Sequence, residues 1–505
     1  MNLRSAWFGA TLFTWTATAA LAQNELWPVW RAPAGLPGST PRLATTADGG
    51  LIIASTAGSL GEVRAFDPLG ATRWTSPLPL VAGGARGVAV LANGDVVVLV
   101  QDVADYAVSR FAANGSLVGT QSYGGSGVDE AEAIAAHPSG GYTVVGRSDG
   151  GHGTPTTSPP GVFGGFVALH DAQGAELWVR RIDDGTNAVT FRAVAVTPTG
   201  DIRIFGSLFG PLDPFPWQSS ATLTSSGTVQ SSNLFGQFGE FRWASTTPDQ
   251  AVFTDAKFNS GSGLGAGAQL QRTTAQGATT FWFLSESFGG DAQFHAAADD
   301  GQGGIYAWVT DFDPTWFGQP AFVGLHRFNS AGQIVWSQAD TNLVRTAVPL
   351  RFGEVVTATT TVQRLSRGAV GTQGCAGQPN STGAPAVLRL AGSASLSANA
   401  LVPFASNLPP NVATLCAISR NAGFVAPFAG GQGTLCLAAP IGRSTVVTSS
   451  NEGRAAYRID LTAMPTPLGP QAAQIGDTWR FQVWYRDTAG GGTTNLTSSV
   501  SVVVQ

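Results

Sequence analysis

The sequence predicts an all-β chain: a seven-bladed β-propeller whose N-terminal strand closes the last blade, followed by a small β-sandwich. Three observations carry this prediction. A short apolar run, a Gly-Asp or Gly-Gly turn and a β-branched strand recur, as in "VAVLANGDVVVLV", "AIAAHPSGGYTVVG" and "AVAVTPTGDIRIFG". A second hairpin, built on x-Asp-x-x-Gly-x-x-x-Trp, follows most of these turns. After about residue 370 both patterns stop, and short strands with Gly, Pro and Asn turns replace them. Composition agrees, because Gly 65 supplies the positive-φ positions that tight hairpins need, and Trp 14 with Phe 28 provides apolar surface to bury.

The first element is "MNLRSAWFGATLFTWTATAALAQ": one early cation, Arg4, an apolar stretch, then small residues ending Ala20-Leu21-Ala22. This is the layout of a secretory signal peptide, 1–22. The expectation is a secreted or cell-surface protein with no transmembrane segment, since no later stretch reaches about 18 apolar residues. A net charge of −5 argues against a nucleic-acid partner, which usually leaves a basic stripe. The partner expected instead is an extracellular glycan or protein, met by a monomer.

The repeat fills 23–369. Its turns are marked by Gly50, Asp95, Gly141, Asp201, Gln250, Gly304 and Glu354, spaced near the ~40–50 residues of propeller blades. Clear copies of the second hairpin are Asp67/Gly70/Trp74, Asp171/Gly174/Trp178 and Asn329/Gly332/Trp336. The Asp side chains suit turns in which a carboxylate accepts nearby backbone N–H groups. The tryptophans suit packing between blades, each ring burying about 150–250 Å². The seventh unit lacks this hairpin, while "NELWPVWRA" near the start resembles "AELWVRR". Strand 25–31 is therefore expected to pair with the blade of 345–364, covering the last open edge.

Tyr123 to Gly150, "YGGSGVDEAEAIAAHPSGGYTVVGRSDG", resembles the blades of bacterial secreted β-propeller repeat proteins, as does "FGGDAQFHAAADDGQGGIYAWV". The Trp hairpin is also similar to that of quinoprotein propellers, but the chain has no adjacent cysteine pair. Segment 370–505 resembles a C-terminal module of exported proteins from environmental bacteria, through Cys375, "PNSTG", "LPPN", "GQGTLCL", "IGR", "DLTAMPTP" and "TWRFQVWYRD". The three cysteines are Cys375, Cys416 and Cys436, which allows one disulfide and one spare thiol. The resemblance implies the pair Cys375–Cys436, with Cys416 as a departure from the pattern.

Candidate sites fall in two places. First strands line a propeller's axis, and each unit opens its first strand with Arg42, Arg86, Glu132, Arg192, Arg242, His295 or Arg345. The arginines and His295 form a candidate axial anion site. The opposing reading is a set of bidentate salt links to preceding carboxylates, Asp184 with Arg192 and Asp340 with Arg345 first among them. The second place is a face of long inserts, 148–164, 207–219 and 311–320, carrying Trp217, Trp316, Phe317, Asp213, Asp311 and Asp313. Aromatics beside carboxylates suit stacking on sugar rings, or Ca²⁺ at extracellular concentrations; no other cofactor is called for. The five histidines show no metal-ligand spacing and read as surface or turn residues. No nucleophile elbow is present. The function expected is non-enzymatic recognition of a polysaccharide, surface glycan or protein. The alternative is a secreted polysaccharide hydrolase or lyase using loop carboxylates.

Overall fold

The structure, a computed structural model, describes residues 27–33, 35–36, 41–79, 83–153, 163–183, 186–210, 217–233, 240–246, 252–259, 266–273, 279–284, 293–299, 304–312, 320–331, 333–339, 346–349, 354–358, 361–366, 370–487 and 494–505. The expected signal peptide lies outside them. Every regular element among the described residues is a β-strand, and the chain is an all-β protein.

Among the described residues, seven four-stranded antiparallel sheets follow one another. Six are simple meanders, spanning 42–77, 85–123, 129–182, 188–233, 240–284 and 293–339. The seventh takes three strands from 346–366 and its fourth from the other end of the chain. Trp27–Pro33 pairs antiparallel with Thr361–Ser366, Trp27 opposite Ser366 and Pro33 opposite Thr361. First strands pack side by side: Arg42–Thr45 on Ala85–Val90, then Asp129–Ala136, Ala188–Val196 and Glu240–Thr246. The fifth sheet meets the sixth through Val252–Asn259 and Ala266–Thr273 against Gln293–Asp299, which packs on Thr346–Pro349, and that strand returns to Arg42–Thr45. A ring of meanders closed in this way is a β-propeller.

The turns follow from their residues. Asp67 Oδ1 accepts from Leu69 N and Ala71 N at 2.9 and 2.8 Å, and Asp171 Oδ1 from Gln173 N and Ala175 N at 2.8 Å each. Asn329 plays the same part toward Ala331 and Gln333. The glycine three residues on, Gly70 or Gly174, has a φ of +85° or +95°, where any other residue would be strained.

At Gly70, Gly115 and Gly227 the turn glycine also receives a tryptophan. The Trp74 indole of the first sheet lies over Gly115 of the second, so that a methyl group there would overlap the ring. Its Nε1 donates to the Ala113 carbonyl at 3.0 Å, and the ring stacks on Phe111 at 6.5 Å. Trp178 of the third sheet covers Gly227 of the fourth and donates to the Ser225 carbonyl at 3.1 Å. Trp30 of the N-terminal strand covers Gly70 of the first sheet, donates to the Pro68 carbonyl at 3.0 Å and stacks on Phe66 at 5.9 Å. Aligning "NELW" with "AELW" would give this place to Trp27. The structure gives it to Trp30: Pro28, Val29 and Trp30 stand in the register of Glu176, Leu177 and Trp178, with the same one-residue shift that recurs between third and fourth strands of the other sheets.

Beyond the ring, Val387–Gly392, Leu401–Ser406 and Ala455–Ala456 form one sheet. Ala413–Ser419, Thr478–Arg486 and Thr494–Val503 are the long strands of another. Leu388, Leu390 and Leu401 from the first share a core with Ile418, Phe481, Tyr485 and Val500 from the second. Cys375 and Cys436 are joined, and Cys416 is a free, buried thiol. Gln482 sits in this core with its polar atoms used: Nε2 donates to the Thr434 and Thr497 carbonyls at 2.8 Å each, and Oε1 accepts from Cys436 N at 2.9 Å. The module also holds the ring's seam. Buried Glu354 accepts from Arg364 within the seventh sheet and from Gly392 N at 3.0 Å across the junction.

Two outcomes are expected. Trp30→Ala should destabilise the protein by about 3–5 kcal/mol in urea titration, the usual cost of removing a buried aromatic. The exposed neighbour Arg31 should tolerate alanine within about 1 kcal/mol. Peptide mapping without reductant should recover Cys375 linked to Cys436, with Cys416 alkylated only after denaturation; rapid native labelling of Cys416 would contradict its burial.

Candidate functional site

The first strands carry a feature that spacing alone does not reveal. In five of them a β-bulge interrupts the pairing with the second strand, between Ala85 and Gly87, Ala131 and Ala133, Phe191 and Ala193, Phe241 and Trp243, and Phe294 and Ala296. The extra residue in each is Arg86, Glu132, Arg192, Arg242 or His295. An extra residue leaves the two-residue alternation and re-aims its side chain. Arg42 opens the first sheet's inner strand without a bulge, opposite Ala54; Arg345 lies outside the described residues.

Arg42, Arg86 and Glu132 come close enough to feel one another. The Arg42 pKa is lowered by burial first and by the Arg86 charge second, and Glu132 opposes both. Arg42 Nε and Arg86 Nε are buried without a hydrogen-bond partner, and neither guanidinium makes an ion pair among the described residues. The expected bidentate salt links are therefore not formed at these two arginines. Asp129, at the start of the third sheet's first strand, folds its own crossover, accepting from Gly125 N at 2.5 Å. The pairs Asp184–Arg192 and Asp340–Arg345 each include residues outside the described set.

The insert face is described only at its roots. Trp217 opens the strand Trp217–Leu223, is half-buried and packs against the core of the fourth sheet, which makes it at least partly a packing residue. Asp311 lies on the strand Ile305–Phe312. Asp213, Asp313, Trp316 and Phe317 lie outside the described residues. Each insert joins the second and third strands of its sheet. No three His, Cys, Asp or Glu side chains among the described residues stand together as a metal site.

A third cluster was not anticipated, and it corrects the reading of the histidines. His137, His152, His170 and His326 are buried, not superficial. His152 and His170 join an aromatic group between the second and third sheets. Tyr106 stacks on Tyr123 and Phe166 at 5.5 Å each, Tyr142 stacks on His170 at 4.8 Å, and Tyr123 meets His170 edge-on at 4.4 Å. His152 Nε2 lies 3.2 Å from the Tyr106 hydroxyl and 3.6 Å from Glu176 Oε2. Beside this group an open cavity of about 360 Å³ is lined by Asp105, Gln121, Ser122, Tyr123, Gly124 and Glu176. Burial raises the pKa of both carboxyls there, helped at Asp105 by Asp129 and opposed at Glu176 by His152. The available signal was alignment: His170 stands where the first and second sheets have Phe66 and Phe111.

No family model and no curated protein matches the chain. Solved structures do. Virginiamycin B lyase from Staphylococcus aureus is 12% identical over 67% of this chain and 98% of its own, with a TM-score of 0.41. An extracellular domain from B. thetaiotaomicron is 9% identical over 94% of this chain and 58% of its own, with a TM-score of 0.42. The WD40 domain of Toxoplasma gondii coronin is 9% identical over 68% of this chain and 84% of its own, with a TM-score of 0.41.

Burial pushes the pKa of His170 and of His326 down to about 4. At His170 the nearby Gly174 carbonyl pulls the other way without reaching hydrogen-bonding geometry. Below the ordinary value of about 6.5 the unfolded chain takes up protons at these positions that the folded chain refuses. Their contribution to stability is thus complete above about pH 6.5 and is lost as pH falls toward 4. His170→Phe should flatten the slope of unfolding free energy against pH in that window; an unchanged slope would show that His170 is not a source of it.

Proposed function

We propose that the chain is an exported binding protein: signal peptide 1–22, seven-bladed propeller 23–369 and C-terminal β-sandwich 370–505. Its ring recognises an acidic extracellular polysaccharide. The observation that carries this reading is the pair of buried, unpaired guanidinium Nε groups at Arg42 and Arg86, set where first strands meet. Two like charges about 4 Å apart cost roughly 4 kcal/mol at an effective dielectric of 20. An anionic group offsets that cost, and arginine's planar fork matches carboxylate or sulfate in two-point contact. Arg192, Arg242, Arg345 and His295 extend the same ring. The insert face, with Trp217, Trp316, Phe317, Asp213, Asp311 and Asp313, supplies sugar contacts or a Ca²⁺ site next to it. A disulfide suits an oxidising compartment, which supports export.

The rival, a polysaccharide-active enzyme, draws on Asp105 and Glu176, whose raised pKa values suit a general acid. Its mark is turnover lost in Glu176→Gln with binding retained.

The test uses the melting temperature of the full chain with sulfate or a short uronic-acid oligomer. Both anions should stabilise the wild type, and the shift should fall at least tenfold in apparent affinity in Arg42→Ala or Arg86→Ala. No stabilisation by either anion would leave the arginines as architecture alone.

A further inference from the structure

The bulges of the first strands carry one acid among their cations. Arg86 stands between Ala85 and Gly87 in the second sheet, and Glu132 between Ala131 and Ala133 in the third. The two strands pack side by side. A Cβ added at Gly87 would lie 2.8 Å from Ile134 Cγ2 and 3.4 Å from Ile134 N, which keeps the two bulges close along the strands. Arg42–Thr45, carrying Arg42, flanks the second sheet's first strand from the other side.

Glu132 is half-buried and near enough for its charge to act on Arg42. Among the described residues it nevertheless pairs with neither guanidinium, and Arg42 Nε and Arg86 Nε stay without an acceptor. A carboxylate beside two free guanidiniums gains most by closing on one of them in a two-point contact. The bulge sets the direction of each side chain, and here it keeps the opposite charges near one another but apart. Donors and acceptors in this sector of the ring are thus left for a ligand to join.

We infer that Glu132 selects which anion the ring takes: a singly charged acid group of a sugar binds at Arg42 and Arg86, and a free hydroxyl of the same ligand donates to Glu132. The inference rests on the anion reading above and narrows it. An ionised carboxylate can only accept, so the ligand atom beside Glu132 must be a donor. Charge balance points the same way. Two guanidiniums and one carboxylate leave this sector with one net positive charge, which a single acid group neutralises. The inorganic sulfate dianion overshoots and is pushed back by Glu132. An ammonium group beside Glu132 would leave the sector's positive charge unmet. The acid group has two sources, a uronic-acid carboxylate or a sulfate ester.

The experiment is titration calorimetry of the full chain with a short uronic-acid oligomer, the same oligomer with its hydroxyls O-methylated, and inorganic sulfate. The wild type should bind the free oligomer about fivefold or more tighter than the O-methylated one, which has the same charge and no donor. Glu132→Leu keeps the bulk but not the acceptor, and should bring the two oligomers to within about twofold. The same variant should bind sulfate about threefold tighter, because the repelling charge is gone. Glu132→Gln, which also removes the charge, should show that gain for sulfate if the leucine variant does not fold. A sulfated neutral oligosaccharide run alongside tells the two sources apart by which binds more tightly. If neither oligomer nor sulfate binds the wild type, the anion reading fails and this inference with it. If they bind and Arg42→Ala weakens them, the anion reading stands; equal affinity for the two oligomers, or an unchanged preference in folded Glu132→Leu, then overturns the role of Glu132 alone.

Discussion

Among the described residues, three junctions of the ring rest on one contact: an indole on the fourth strand of one sheet laid over a left-handed glycine in the next. Each partner is needed for a different reason. The glycine supplies a backbone conformation that other residues adopt only under strain, and the missing side chain leaves room for the ring to touch the main chain. The indole supplies area for burial and one donor for a carbonyl that the tight turn leaves outward. Because a side chain folds each of these turns, Asp67 at Gly70, Asn114 at Gly115 and Thr224 at Gly227, the angle between neighbouring sheets is set locally at each of these junctions. Each such junction is therefore specified by a short local motif, while closing the ring also needs the N-terminal strand.

This is why the architecture was legible in the sequence. The Asp-x-x-Gly-x-x-x-Trp spacing records both halves of the contact, and a missing copy in the seventh unit pointed to the N-terminal strand. Alignment failed in detail there. The "ELW" likeness favours Trp27, whereas the one-residue shift that recurs between third and fourth strands falls at Val29 and brings Trp30 into place. The disulfide followed from resemblance, and Gln482, which holds Cys436 N, was not foreseen. Side-chain placement on inner strands was less legible still. A bulge adds one residue without a sequence signal of its own, so Arg86 and Glu132 were found by position along the strand, not by knowledge of how they are re-aimed.

The histidines show a second limit. Spacing rules for metal ligands see only pairs along one element, so a histidine substituting for phenylalanine at an interface reads as unremarkable. His170 is buried because its position is buried in the other described sheets, at Phe66, Phe111, Leu223 and Phe328, whatever residue fills it. Its titration is a consequence of the repeat's packing, and it stacks on Tyr142 at the same interface. Departures from a repeat carry more information about an individual member than the repeat itself does.

The seam has a consequence for how the chain reaches this structure. Arg31 meets Gln363 across 332 positions of sequence, whereas the pairings within each of the other six sheets join strands that follow one another directly. Loop-closure entropy grows only logarithmically, about 0.6 kcal/mol per doubling of length, so the finished ring loses little stability by closing this way. The cost is in time. Strand Trp27–Pro33 has no partner until the last sheet exists, and until then the ring's first glycine turn lacks its indole cover. Six sheets can form locally and early, while closure must wait for the far end and for the module that grips it through Glu354. An open arc with one exposed edge is thus an obligatory stage of folding, and it is the stage at which two molecules could exchange their first strands.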